Sequence, residues 1–170
     1  MLAGKDAATL DASVIGPCID IGEDLSVTLN EDALGAWVDE VASSHSTVGS
    51  TRSYMRADGA QFSVSGGTYG WKVDRDALLD LAKSAIESDQ TGEVDLPCNQ
   101  SASAWNGVGG RDWGGRYIDV DLTAQHARFF DENGAVIWES DFVSGKPTST
   151  SASLTPQGVY VINSNSGGST

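Results

Sequence analysis

An α+β architecture is expected for this chain: a small α+β module, then a β-rich segment. Three observations lead there. Two stretches with helical spacing and N-capping residues lie between residues 30 and 92. A hairpin signal sits between them. From residue 115 onward the helical period vanishes, leaving period-two alternation broken by turn residues.

Taken in order, residues 1–17 place Lys5, Asp6 and Asp11 among Ala, Ser and Gly and read as an end, or as the tail of a preceding domain. Residues 18–29 hold two short strand-like pieces around Gly22-Glu23-Asp24. Asn30 is a good N-cap, and Glu31 and Asp32 complement the helix dipole. Leu34, Trp37, Val38 and Val41 recur at helical spacing, so a helix is expected over 31–44, with His45 as a dipole partner at its end. Ser53 to Ala57 and Gln61 to Ser65 flank Asp58-Gly59, a type I′ hairpin signal. After Gly66-Gly67-Thr68-Tyr69-Gly70-Trp71-Lys72-Val73, Asp74 caps a second helix. Leu78, Leu81, Ala82, Ala85 and Ile86 share one of its faces, and Gly92 stops it. A core from Leu34, Trp37, Val38, Val41, Leu78, Leu81 and Ile86 follows, with Trp37 inside. Residues 93–98 suggest a short strand. Residues 99–114 are polar and Gly-rich without a period and read as a linker.

In the last part, Ile118, Val120 and Leu122 alternate with Tyr117, Asp119 and Asp121, the mark of a half-buried strand. Residues 125–130 form a second strand, and residues 135–143 return after the turn Asp131-Glu132-Asn133-Gly134. The expected organisation is a module at 18–98, a linker at 99–114 and a β-rich segment at 115–170.

Composition narrows the function. The apolar share of 39% with five Trp can build a core, and 20 Gly against four Pro suit a turn-rich protein. A net charge of −14 argues against nucleic acid and anionic membranes as partners. Residues 1–114 carry 18 acids against 7 bases, residues 115–170 carry 6 against 3; a solvated acidic surface is the simplest account. No run of 18 apolar residues occurs, and the N-terminus lacks a basic start with an apolar run, so neither a transmembrane helix nor a signal peptide is read. No CxxC or His cluster suggests a metal, and no cofactor motif is present.

Tyr117-Ile118-Asp119-Val120-Asp121-Leu122, Gln125-His126, the Asp-Glu-Asn-Gly turn, Val143-Ser144-Gly145-Lys146-Pro147 and Thr155-Pro156-Gln157-Gly158-Val159, in that order, resemble the opening of a YkuD-type L,D-transpeptidase domain. The helix after Asn30, the Asp58-Gly59 hairpin, the Gly-Gly-Thr-Tyr-Gly-Trp string and the following helix resemble the putative peptidoglycan-binding domain that precedes such domains in Gram-positive wall enzymes. Together the two resemblances cover about 140 of 170 residues.

The resemblance implies an exported enzyme that cross-links peptidoglycan stem peptides. A Cys thiolate would attack the carbonyl of the third stem residue and expel the terminal D-Ala. An amine of a neighbouring stem would then resolve the thioester. The family's His-Gly and Ser-His-Gly-Cys run lies past the Thr-Pro-x-Gly segment, so the nucleophile is expected beyond Thr170 and no catalytic residue is assigned. On this reading the 170-residue chain is inactive. Tail residues after about Ser149 would be disordered or would pair open sheet edges with another chain, and an upstream segment would anchor the parent at the cell surface.

Cys18 and Cys98, 80 residues apart, match no catalytic position. They are either two buried thiols or, in an exported protein, one disulfide; given the resemblance, the disulfide is expected. Tyr69, Trp71, Trp105 and Trp113 suit sugar stacking, but packing is the commoner use of such rings. His126 reads as a strand residue, and Asp119 with Asp121 as a pair sharing the solvent face. The partners expected are peptidoglycan glycan and stem peptides. The alternative is a non-catalytic wall-binding or surface interaction module.

Overall fold

The computed structural model describes residues 1–145 and 154–162. Its elements in order are helix α1 (Ala12–Ile15), strands β1 (Ile19–Ile21) and β2 (Val27–Leu29), helix α2 (Glu31–His45), strands β3 (Thr51–Met55), β4 (Gln61–Ser65) and β5 (Lys72–Val73), helix α3 (Arg75–Glu87), and strands β6 (Cys98–Gln100), β7 (Tyr117–Asp121), β8 (His126–Phe130) and β9 (Val136–Asp141). Every ladder is antiparallel, in the sheets β1-β2, β3-β4, β5-β6 and β7-β8-β9. This is the α+β class expected.

The chain forms two compact units, one from residues 1–47 and 71–101, the other from residues 48–70 and 102 onward. They interleave rather than follow the sequential division 18–98, 99–114 and 115–170. Hairpin β3-β4 lies between the helices in sequence but belongs to the second unit. Residues 102–114 are packed there too, with Trp105 and Asp112 buried.

In the first unit both helices start as their caps dictate. Asn30 Oδ1 accepts from Ala33 N at 3.0 Å, and Asp74 Oδ1 accepts from Ala77 N at 3.1 Å. Leu34, Val38 and Val41 of α2 and Leu78 and Ala82 of α3 are buried. They form two clusters: Val38, Val41, Val73 and Leu78 in one, Cys18, Leu34 and Ala82 in the other. Trp37 is half-buried and packs against both, as does Leu79; Leu81 belongs to neither. Surface ion pairs Arg75–Asp39 and Lys83–Glu31 cross between the helices; such exposed pairs stabilise by at most about 1 kcal/mol. The strand expected at 93–98 is observed only from Cys98, where β6 pairs with β5.

In the second unit the β3-β4 turn differs from the type I′ expectation. That type needs positive φ at both central residues, and only Gly59, at +84°, has it. Gly59 N donates to Arg56 O at 2.9 Å and Arg56 N to Ala60 O at 2.8 Å, so a tight turn is followed by a left-handed glycine. Two aspartates close the turns of the three-stranded sheet. Asp121 Oδ1 accepts from Thr123 N and Ala124 N, and Asp131 Oδ1 from Asn133 N and Ala135 N. On β7, Asp119 is buried and accepts the Tyr54 hydroxyl at 2.5 Å, with Arg56 Nη1 at 3.6 Å. It does not share a solvent face with Asp121, because Tyr54 and Arg56 of the hairpin segment meet that side of the strand. Burial, reinforced by the bond to Asp119, pushes the Tyr54 hydroxyl far above the usual phenol range. Ile118, Val120 and Trp138 remain about half exposed, and β9 pairs on one side only among the described residues.

Candidate functional site

The motif pieces scattered over residues 66–160 converge in the second unit. Gly66 and Gly67, both at left-handed φ, receive the segment Gln157-Gly158-Val159. Thr68 N and Tyr69 N each donate to Val159 O at 3.0 Å, and Val159 N donates to Gly66 O at 3.2 Å. Gly67 and Val159 form a parallel bridge. A Cβ on Gly67 would lie 2.1 Å from Val159 O, and one on Gly158 would lie 2.3 Å from Gly67 N. Only glycines permit this backbone approach. The bridge also answers the expectation of a disordered tail for residues 154–162, which are described and held in place. Residues 149–153 and 163–170, to which the same expectation applies, and Lys146-Pro147 lie outside the described residues.

Beside it lies a 240 Å³ cleft lined by Leu122, Gln125, Ser144, Gly145, Leu154, Thr155 and Gln157. Gln125 adopts φ +55° and uses its whole amide. Nε2 donates to Leu122 O at 2.6 Å and Ser144 Oγ at 2.7 Å, while Oε1 accepts from Ser144 N at 2.7 Å. Gly145 N donates to Thr155 Oγ1 at 2.9 Å. Three separated motifs therefore frame one small cleft. Among the described residues its lining offers no thiol and no imidazole; the hydroxyls of Ser144 and Thr155 are spent on hydrogen bonds from Gln125 and Gly145.

Several aromatic residues are packed, while Trp138 and Tyr160 stay about half exposed. Tyr54 stacks on Phe62, and Tyr117 stacks on Phe130 with ring centroids 4.9 Å apart. Trp113 meets Tyr54 edge-on. The Arg56 guanidinium lies 4.5 Å over Phe62 and that of Arg111 4.6 Å over Tyr117, which leaves these ring faces covered. Trp71 and Trp105 are 8% and 5% exposed, too little for a sugar platform. Tyr69 is tied through its hydroxyl, which donates toward Ser103 Oγ and Asp112 O and accepts from Ser103 N.

Cys18 and Cys98 are free thiols. Cys18 is buried in the second cluster with Sγ donating to Val14 O at 3.2 Å, while Cys98 packs against the first. The bridge expected between them is absent from this structure, where Cys18 lies in one cluster and Cys98 packs against the other. Burial pushes the Cys98 thiol above its ordinary value, opposite to an activated nucleophile. His45 faces two backbone carbonyls, Val41 O at 2.8 Å and Ala7 O at 2.9 Å. No group of three or more metal-ligating side chains occurs among the described residues. The buried pair Arg52–Asp112 was not legible, because 60 residues separate its members and neither has a motif.

His126 sits on β8 with Nδ1 2.6 Å from Asp141 Oδ1 and Nε2 3.1 Å from Glu139 Oε2, both on β9. The Asp141 bond, then the Glu139 bond, raises its pKa above the ordinary value. A raised folded pKa contributes stability that is complete below the unfolded value, about 6.5, and disappears as pH rises through the folded one. The stability difference between the parent and His126→Gln should therefore shrink as pH rises from 6 to 9 in urea titrations. A difference that grows with pH would refute the clamp.

The family model described as “Putative peptidoglycan binding domain” matches residues 8–95, just over half the chain. The solved structure of the Ldtfm–avibactam carbamoyl enzyme is similar with a TM-score of 0.62 and 24% identity over 82% of this chain and 53% of that one. A Cys-to-Ser mutant of the Enterococcus faecium L,D-transpeptidase is similar with a TM-score of 0.64 and 24% identity over 86% and 55%. At this identity the likeness establishes the fold. The chain spans about half the length of these structures. No curated protein matches it.

Proposed function

Because this chain belongs to the putative peptidoglycan binding domain family, we propose that it is the wall-recognising part of an exported peptidoglycan L,D-transpeptidase. The observation that carries this reading is the pairing of a family match over residues 8–95 with a fold likeness to L,D-transpeptidase that extends past it, over 86% of the chain. The inherited binding module lies within residues 8–95, the stretch that the family model matches. Residues 115–170 contribute the sheet and the Thr-Pro-x-Gly segment on which a catalytic domain is built. The half-exposed Ile118, Val120 and Trp138 and the β9 edge, unpaired among the described residues, support a sheet that belongs to a larger domain.

In this reading the thiolate that attacks the stem peptide comes from outside these 170 residues. Chemistry supports that assignment. Acyl transfer needs a thiolate beside a base and oxyanion donors. Cys18 is buried and bonded to a carbonyl, and Cys98 is held in its neutral form. The chain's own contribution is to bind wall polymer and to place the segment around Gln125, Ser144 and Thr155.

The test joins sedimentation with purified peptidoglycan sacculi to mass spectrometry after carbapenem treatment. The chain should co-sediment with sacculi and carry no adduct. Failure to sediment would remove the wall-binding reading. A stoichiometric adduct lost in Cys98→Ala or Cys18→Ala would place the nucleophile within these residues.

A further inference from the structure

Hairpin β1-β2 overhangs the first unit. Ile19 pairs with Leu29 at its inner end, and Leu29 packs against the Cys18, Leu34 and Ala82 cluster. Ile21 pairs with Val27 two residues further out on the same face, because strand side chains alternate. The apolar stripe that begins in the core thus runs on into solvent. Ile21, Val27 and the turn residue Leu25 are 69%, 66% and 81% exposed.

The tip is rigid. Asp24 Oδ1 accepts from Ser26 N at 3.1 Å and Ser26 Oγ at 2.6 Å, Gly22 N donates to Ser26 O at 2.8 Å, and Leu25 N donates to Gly22 O at 2.9 Å. Leu25 is held at φ +64°, a conformation costly for a branched residue that gains no burial there. The tip itself carries one sign of charge: Asp20, Glu23 and Asp24 flank it, and no Lys or Arg lies within the hairpin, residues 19–29.

We propose that the Ile21–Leu25–Val27 tip is a docking knob for a protein partner whose contact surface is an apolar cup rimmed by Lys or Arg. Charge complementarity decides the partner's class. An anionic lipid surface would be repelled by the same carboxylates that attract a basic rim. The apolar face supplies the contact that desolvates on docking, and the locked turn spares the entropy of ordering it. The proposal is independent of wall binding, which sacculi measure separately.

The experiment uses the full chain, a fluorescent amphipathic Leu/Lys model peptide, its Leu/Glu counterpart, and phosphatidylglycerol vesicles. Asn tolerates left-handed φ, so Leu25→Asn keeps the turn while removing the knob. The Leu/Lys peptide should bind with an affinity that falls with salt, shift amide resonances within residues 19–29, and bind Leu25→Asn about tenfold more weakly, the loss of one buried aliphatic side chain. The variant should melt no lower than the parent. The Leu/Glu peptide and the vesicles should not bind. Equal affinity of parent and Leu25→Asn, resonance shifts elsewhere, or vesicle binding that Leu25→Asn abolishes would each overturn it. Should Leu25→Asn melt lower, Ile21→Thr/Val27→Thr, which keeps strand propensity, must show the same loss of affinity.

Discussion

Gly67→Ala is expected to detach residues 157–160 from the 66–69 loop. Two effects combine, and a control separates them. A side chain at φ +86° costs about 1–2 kcal/mol wherever it occurs. Here the new Cβ would also lie 2.1 Å from Val159 O and 2.3 Å from Val159 N, which no rotamer change can relieve. The three backbone hydrogen bonds to Val159 and Gly66 would open, each worth about 0.5–1.5 kcal/mol net. Together these come to about 3–5 kcal/mol of local stability. Gly59→Ala is the control: its φ is +84°, and nothing lies within 4 Å of its new Cβ. Amide exchange should speed up at Thr68, Tyr69 and Val159 in Gly67→Ala and stay as in the parent in Gly59→Ala. Equal behaviour would mean that left-handed strain, not backbone contact, explains the double glycine.

Breaking the Arg52–Asp112 pair should cost about 3–5 kcal/mol, because one charge would be left buried without its partner. Arg52 is 0% exposed and Asp112 1%. Arg52 Nε and Nη2 both donate to Asp112 Oδ2, at 3.1 and 3.0 Å, and Nη2 also donates to Tyr69 O at 2.6 Å. The guanidinium thereby holds β3, the loop at Tyr69 and the segment around Asp112 together. Asp112→Asn or Arg52→Gln should lower the urea midpoint sharply. The double replacement Arg52→Met/Asp112→Leu should cost clearly less than either single change, since it removes both charges. Single variants with parent-like stability would show that the pair is not buried in solution.

Much of the local structure was legible because it depends on neighbours in sequence. Asn30 and Asp74 start α2 and α3 by bonding amides three residues on, and the alternation at Ile118 and Val120 marks a strand whatever packs on it. The pieces of the 115–160 motif string were legible too, but as a string. Chain-distant contacts were not. Whether Leu79 or Leu81 enters the core depends on how α3 is rotated against α2. The linker expectation for 99–114 failed to foresee that Asp112 would be buried against Arg52.

The candidate site divides in the same way. Caps, turn residues and strand alternation were enough for the α+β class, since they act within a few residues, while the wall association rested on the resemblance of the motif string to a known family. Tertiary structure alone placed Gly66-Gly67 against Gln157-Gly158-Val159, buried Asp119 beneath Tyr54 and Arg56, set Cys18 and Cys98 in separate clusters, and covered the rings with guanidinium groups. The glycine–Val159 and Tyr54–Asp119 contacts join residues roughly 60 to 90 positions apart through close packing and desolvation, and no local pattern in a single chain encodes which distant partner will meet.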